Sequence, residues 1–160
     1  MKHYCAIILL FLFVVSCKHA NDAPPASYPE TAVGLLKNGV YIVQDSVALA
    51  KQWDNALHKA GENYNLQNFK IHATITKGAV KKQCFLLTAT TNDKKVKAAA
   101  VLLKKANSFY FDESNPASVL CRADCTAGCL PTAIVTANGG IQLVCTACAN
   151  CIKTDVLLIF

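Results

Sequence analysis

Acidic residues are scarce in this chain: ten Asp and Glu face sixteen Lys and Arg in 160 residues, for a formal charge of +6. They are mostly isolated, so no two carboxylates stand at a spacing that would announce paired-carboxylate chemistry. No GxSxG, HExxH or P-loop occurs, which removes the hydrolases, metalloproteases and nucleotide-binding enzymes that those motifs mark. His58 and His72 are each single, with no carboxylate or nucleophile forming a motif beside them, and read as satisfied surface or core histidines. No repeat of 20 to 50 residues is visible apart from two cysteine triplets. A membrane-spanning run is lacking as well. The apolar run from Cys5 to Val15 makes about 16 Å of helix, against a hydrocarbon core of about 30 Å.

What is there begins with that short run. MKHYCAIILLFLFVVSCKHAND carries Lys2 and His3 ahead of it and Ser16-Cys17 behind it, the layout of a secretory signal with a short apolar region. Val14-Val15-Ser16-Cys17 resembles a bacterial lipobox. The resemblance implies cleavage before Cys17, lipid on its sulfur, and a mature chain that starts there. By the same analogy Lys18, in place of an aspartate, points to the outer rather than the inner membrane. Acyl chains on Cys17 exceed what stable anchoring requires. Residues 1–16 are thus the expected signal peptide and residues 17–30 a polar, proline-containing tether that need not pack.

The remainder is long enough for one domain with a real core. GVYIVQ, Gly39 to Gln44, alternates and reads as a short strand. DSVALAKQWDNALHKAGEN offers Asp45 or Ser46 as N-cap, then Leu49, Trp53, Ala56, Leu57 and Ala60 at helical spacing, with Gly61 to end the helix. From Phe69 the period becomes two: FKIHATITK, QCFLLTAT, VKAAAVLLKK and SFYFDE read as strands. Asn92-Asp93 suits one of the turns between them, because both residues tolerate left-handed backbone. VKAAAVLLKK would also suit a helix. PTAIVTA and IQLVCTA form a hairpin around Asn138-Gly139-Gly140, and IKTDVLLIF is a last strand. Phe109, Tyr110, Phe111 and Trp53 read as core. The fold class is α+β: residues 31–115 place one helix on an antiparallel β-meander, and residues 116–160 form a cysteine-rich hairpin module packed on the same domain. Element order is similar to that of cystatin-like and PepSY-like folds, an analogy that carries no function.

Nine lysines and a single acid, Asp93, lie between Lys70 and Lys105. They suit an anionic envelope partner such as lipid headgroups, acidic polysaccharide or an acidic protein. They equally suit strand ends and edges protected against edge-to-edge pairing, the reading that Lys81, Lys82, Lys94 and Lys95 beside turns favour. Nucleic acid is disfavoured by export and by the lack of interleaved aromatic platforms.

The cysteines take their meaning from the compartment. Of nine, Cys5 leaves with the signal, Cys17 is lipidated, and Cys84 in its apolar strand behaves as a small buried hydrophobe. Six remain: Cys121, Cys125 and Cys129, then Cys145, Cys148 and Cys151. An even number outside the cytoplasm reads first as three disulfides. Near mirror symmetry about Asn138-Gly139 suggests nested pairs, 129 with 145, 125 with 148 and 121 with 151, one of fifteen connectivities.

The second triplet also resembles part of a bacterial ferredoxin motif, but Asp155 stands where the fourth Cys should be, and no twin-arginine signal accompanies it. Zinc on four of the six thiolates, with no histidine in either triplet, is the metal alternative. Thiol redox chemistry is another, although CTACANCIKT is too crowded with cysteine to open a convincing helix. As a whole the chain resembles small cysteine-rich bacterial lipoproteins of unassigned activity. The expectation is a lipid-anchored extracytoplasmic protein of the cell envelope that binds or contacts an envelope component without catalysis. The alternative is an exported zinc-binding or thiol-redox protein using the triplets.

Overall fold

A computed structural model describes residues 31–114, 116–125 and 128–158. The expectations for the signal peptide, for Cys17 and for the tether fall on residues 1–30 and lie outside the described residues.

The domain opens with a hairpin rather than a single strand. Strand β1 (Gly34–Lys37) pairs antiparallel with β2 (Val40–Val43). The turn is Asn38-Gly39, with φ of 51° and 77°, the left-handed pair that a two-residue hairpin requires. Gly39, expected within a strand, belongs to that turn. Helix α1 (Ser46–Lys59) follows, and the Asp45 carboxylate accepts from the Ala48 N–H at 2.8 Å as its N-cap. Leu49, Trp53, Ala56 and Leu57 are buried as the spacing predicts. Ala60 is exposed instead, because it caps the helix where the chain turns away through Gly61 at φ 77°.

The strands β3 (Gln67–Ile75), β4 (Gln83–Thr90), β5 (Val96–Lys105) and β6 (Ser108–Phe111) pair consecutively and antiparallel, which makes the fold α+β with a meander. In the β4–β5 turn the left-handed residue is Lys94, φ 59°, not Asn92 or Asp93. Asp93 contributes through its carboxylate, which accepts from the Thr91 hydroxyl at 2.5 Å and the Lys95 N–H at 3.1 Å.

Beyond β6 the structure corrects the sequence reading. Part of ESNPASVLCRADCTAGCLP, to which the sequence assigns no element, is strand β7 (Ala117–Arg122). It pairs with the Val96–Ala100 half of β5, while β6 pairs with the Leu102–Lys105 half along the same edge. After β8 (Pro131–Val135) and β9 (Ile141–Cys145), which form a separate two-stranded ribbon, β10 (Ile152–Leu157) returns to pair with β7. One eight-stranded sheet therefore contains strands from both sides of residue 115, in the order β10-β7-β5-β6-β1-β2, with β4 and β3 on the other edge of β5.

This topology explains the sequence KAAAVLLKK. Strand β5 is central and covered on both faces, so alternate residues enter two different cores. Val96, Ala98, Ala100 and Leu102 face α1, with Trp53, Leu57, Leu87 and Leu120. Ala99 and Val101 face the ribbon, with Cys84, Leu86, Val119, Ala133 and Leu143. Small side chains let both covers approach the sheet closely. Ser118 is buried as well, and its hydroxyl donates to the Val156 carbonyl at 3.1 Å.

Candidate functional site

The cysteines were the strongest site candidates, and the structure brings all six together. The bridges are Cys121–Cys145, Cys125–Cys148 and Cys129–Cys151, with Cα separations of 5.7, 6.7 and 5.4 Å. Three disulfides form, as expected, but the pairing follows chain order instead of nesting, and only Cys125–Cys148 agrees with the mirror arrangement. Two local features account for the difference. Cys145 lies opposite Pro131 at the end of the ribbon, level with neither Cys129 nor its loop, and meets Cys121 on β7 instead. Hydrogen bonds between Leu130 and Thr146, both 2.9 Å, then continue the ribbon one step further. Cys129 lies beyond that step and reaches Cys151. Gly128 is required there. Its φ is 93°, and a Cβ at that point would sit 2.8 Å from the Ala147 carbonyl oxygen and 2.9 Å from the Cys148 Cβ.

Bridged sulfurs have no lone thiolate to offer a metal. Among the described residues no group of three or more His, Cys, Asp and Glu side chains is arranged to hold an ion. Cys84 is the one free cysteine among them; it is buried, and burial pushes its thiol pKa up, against a smaller opposing effect of Lys82. Such a thiol is a poor nucleophile at neutral pH. His58 does have a carboxylate nearby: Asp54, one turn earlier on α1, lies 3.9 Å from Nδ1, and both side chains are exposed. His72 stands opposite Leu86 on β3, and desolvation lowers its pKa.

The arrangement that sequence reasoning missed is an open groove of about 670 Å³ at the β4–β5 turn end of the large sheet. Tyr64 and Asn65, from the segment between α1 and β3, form one wall; Gln67 begins β3, and Thr91 to Lys95 supply the turn. Arg122 at the end of β7, Asp124 after it and Asn150 before β10 close the other side. The Arg122 guanidinium donates to the Tyr64 hydroxyl and its carbon lies 6.0 Å from the ring centroid. Lys95 Nζ is 2.8 Å from Asp124 Oδ1.

Its electrostatics are self-contained. The Lys95 contact, first as a hydrogen bond and then as a charge, holds the Asp124 carboxyl below the ordinary carboxylate range; that same partner raises Lys95. Hydrogen bonds from the Thr91 hydroxyl and the Lys95 N–H lower Asp93. These shifts drive the groups further from neutrality, the reverse of what a general acid or base needs. Two cations, two anions and the amides of Asn65, Gln67, Asn92 and Asn150 leave a groove rich in donors and acceptors with balanced charge. No sequence motif announces it, since its residues come from four separated segments.

A second cleft of about 870 Å³ runs between the ribbon and the sheet, past Lys82, Phe85 and Lys104, with Asp112, Asn138 and Gln142 opposite. Comparison with known protein families, curated proteins and solved structures finds no match for the chain.

Proposed function

We propose that the chain is an exported, lipid-anchored binding protein of the cell envelope, and that it takes its ligand without catalysis in the groove between Tyr64 and Arg122. Three disulfides are compatible with an extracytoplasmic location, and among the described residues no helix is long and apolar enough to cross a membrane. The lipobox-like Val14 to Cys17 supports attachment through lipid on Cys17, and Lys18 supports the outer membrane. Element order, similar to cystatin-like and PepSY-like folds, belongs to the same reading as an analogy of layout from which no ligand is carried over.

The observation that carries the binding assignment is the charge balance of the groove. Planar amides, the Lys95–Asp124 ion pair, and the opposite charges of Arg122 and Asp93 beside an aromatic ring offer paired donors and acceptors without a net field. That surface suits an uncharged, hydroxyl-rich ligand such as a saccharide, whose hydroxyls both donate and accept. The test is calorimetric titration of the full chain in detergent with neutral oligosaccharides, beside Arg122→Ala and Asn150→Ala. Binding that both substitutions weaken supports the assignment, and equal binding by all three proteins contradicts it. Intact mass of the N-terminal peptide tests the anchor separately, since acylation at Cys17 adds lipid mass that Cys17→Ser abolishes. Unbridged, reactive thiols in the exported protein would favour the zinc or thiol-redox alternative.

A further inference from the structure

The opposite end of the large sheet has a different character. Three segments meet there: residues 36–41 around the β1–β2 turn, residues 76–82 between β3 and β4, and residues 104–107 at the β5–β6 turn. Their alignment follows from the register. Ile75 pairs with Gln83, and Phe85 with Leu102, so Lys104 is level with Gln83. Lys105 pairs with Ser108, which in turn pairs with Leu35. The Lys82 carbonyl accepts from the Thr76 N–H at 2.9 Å and closes the middle segment. Lys77 bridges to Ile134, which brings the uncharged ribbon turn around Asn138 to the same end.

Lys37, Lys77, Lys81, Lys82, Lys104 and Lys105 are all exposed here, and the three segments contain no Asp or Glu. Protection of strand ends fits their places beside turns but does not by itself explain their gathering at one end with aliphatic neighbours. Of the lysines from 70 to 105, Lys70 lies within β3, the edge strand beside β4, while Lys77, Lys81, Lys82, Lys104 and Lys105 occupy turns and strand termini at this end, as does Lys37. Three aliphatic side chains stand among them: Val40, Ile75 and Val80 are 60%, 64% and 59% exposed. A soluble polyanion would match the lysines and gain nothing from the aliphatic groups. The interface of an anionic bilayer matches both, because headgroup phosphates meet the ammonium groups while short apolar side chains enter the boundary region.

We infer that this lysine-rich end seats the domain on an anionic lipid surface. Seating goes beyond anchoring, for it orients the domain: with this end down, the Tyr64–Arg122 groove at the far end of the strands faces away from the bilayer. Modest affinity suffices where a tether already holds the domain close, since the contact is then effectively intramolecular.

The test uses the full chain reconstituted into vesicles of phosphatidylglycerol and phosphatidylethanolamine, or of phosphatidylcholine alone. A membrane-impermeant amine reagent is applied and each lysine is read by peptide mass. Lys77, Lys81 and Lys82 should react about fivefold or more slowly than Lys94 in the anionic vesicles, and the protection should fade at about 1 M salt, where screening shortens to about 3 Å. Ile75→Ser with Val80→Ser should lessen it. Equal labelling in both vesicle types, or protection that includes Lys94, overturns the inference. So does protection by soluble polyphosphate that anionic vesicles do not reproduce. Acyl mass on Cys17 is read from a different peptide, so failure of seating and failure of anchoring are told apart.

Discussion

The two faces of the large sheet are closed by different means. On one face a helix of 14 residues presses Leu49, Trp53, Ala56 and Leu57 onto Ala98, Ala100, Leu102 and Leu120. On the other the cover is a ribbon of two five-residue strands whose buried side chains are Ala133 and Leu143. A two-stranded ribbon is marginal alone in water, and two small to medium side chains bury too little area to hold it down. All three bridges lie on that side, where Cys121 and Cys129 are buried within the core itself. Covalent links thus stand where apolar area runs short, the pattern of small disulfide-dense domains.

Reducing the bridges should give the largest effect, and an unequal one. Each bridge contributes about 2 to 4 kcal/mol, so the loss of three is comparable with the whole stability of a domain, about 5 to 15 kcal/mol. Hydrogen exchange in a mild reductant should show β8 and β9 losing protection before β4 and β5 do. Simultaneous loss across both faces would mean that the two covers are not separable in this way.

Trp53 offers the matching perturbation of the helix face. Trp53→Ala should cost about 3 to 5 kcal/mol in denaturant unfolding while the bridges stay intact by mass. The Trp53 indole N–H is buried with no acceptor among the described residues, so Trp53→Phe gives up no hydrogen bond and should cost far less. A phenylalanine variant as unstable as the alanine variant would show that something other than volume matters there.

Removing the helix N-cap with Asp45→Ala should cost about 1 kcal/mol, read as a shift in the same unfolding midpoint. The groove lies at the strand ends, and its charged contacts should matter least to stability. Asp93 and Asp124 have lowered pKa values, so their contribution is present above the unfolded value of about 3.9 and is lost as pH falls through the folded values. Lys95 is raised, so its share is present below about 10.4 and is lost as pH climbs through its folded value. Thermal unfolding against pH should therefore be flat for this trio near neutrality, with small losses at both extremes that salt diminishes.

The helix face was the more legible of the two from sequence. Helical spacing named Leu49, Trp53, Ala56 and Leu57, because one buried stripe on a 3.6-residue period is a local property. Strands β4 and β5 were found with the bounds QCFLLTAT and VKAAAVLLKK, although nothing local reveals that β5 is covered twice. On the other face local signals ran out. ASVLCR is short, follows an Asn-Pro step and runs into a cysteine-rich segment, so β7 was hidden among turn residues. Asn38-Gly39 did carry a hairpin signal, and reading it would have supplied β1. The bridge pattern was out of reach for another reason: pairing depends on where β7 docks on β5, a long-range fact that spacing about one turn does not contain. The groove was illegible for the same reason, since Tyr64 and Arg122 meet only through the docking of β7.

The most direct measurement is disulfide mapping of the full chain exported to an oxidising compartment, by peptide mass without reduction, with intact mass before and after reduction. The account predicts a gain of about six hydrogens on reduction and linked peptides joining Cys121 to Cys145, Cys125 to Cys148 and Cys129 to Cys151, with Cys84 alkylated only after unfolding. Links from Cys121 to Cys151 and from Cys129 to Cys145, or no gain in mass, would contradict it.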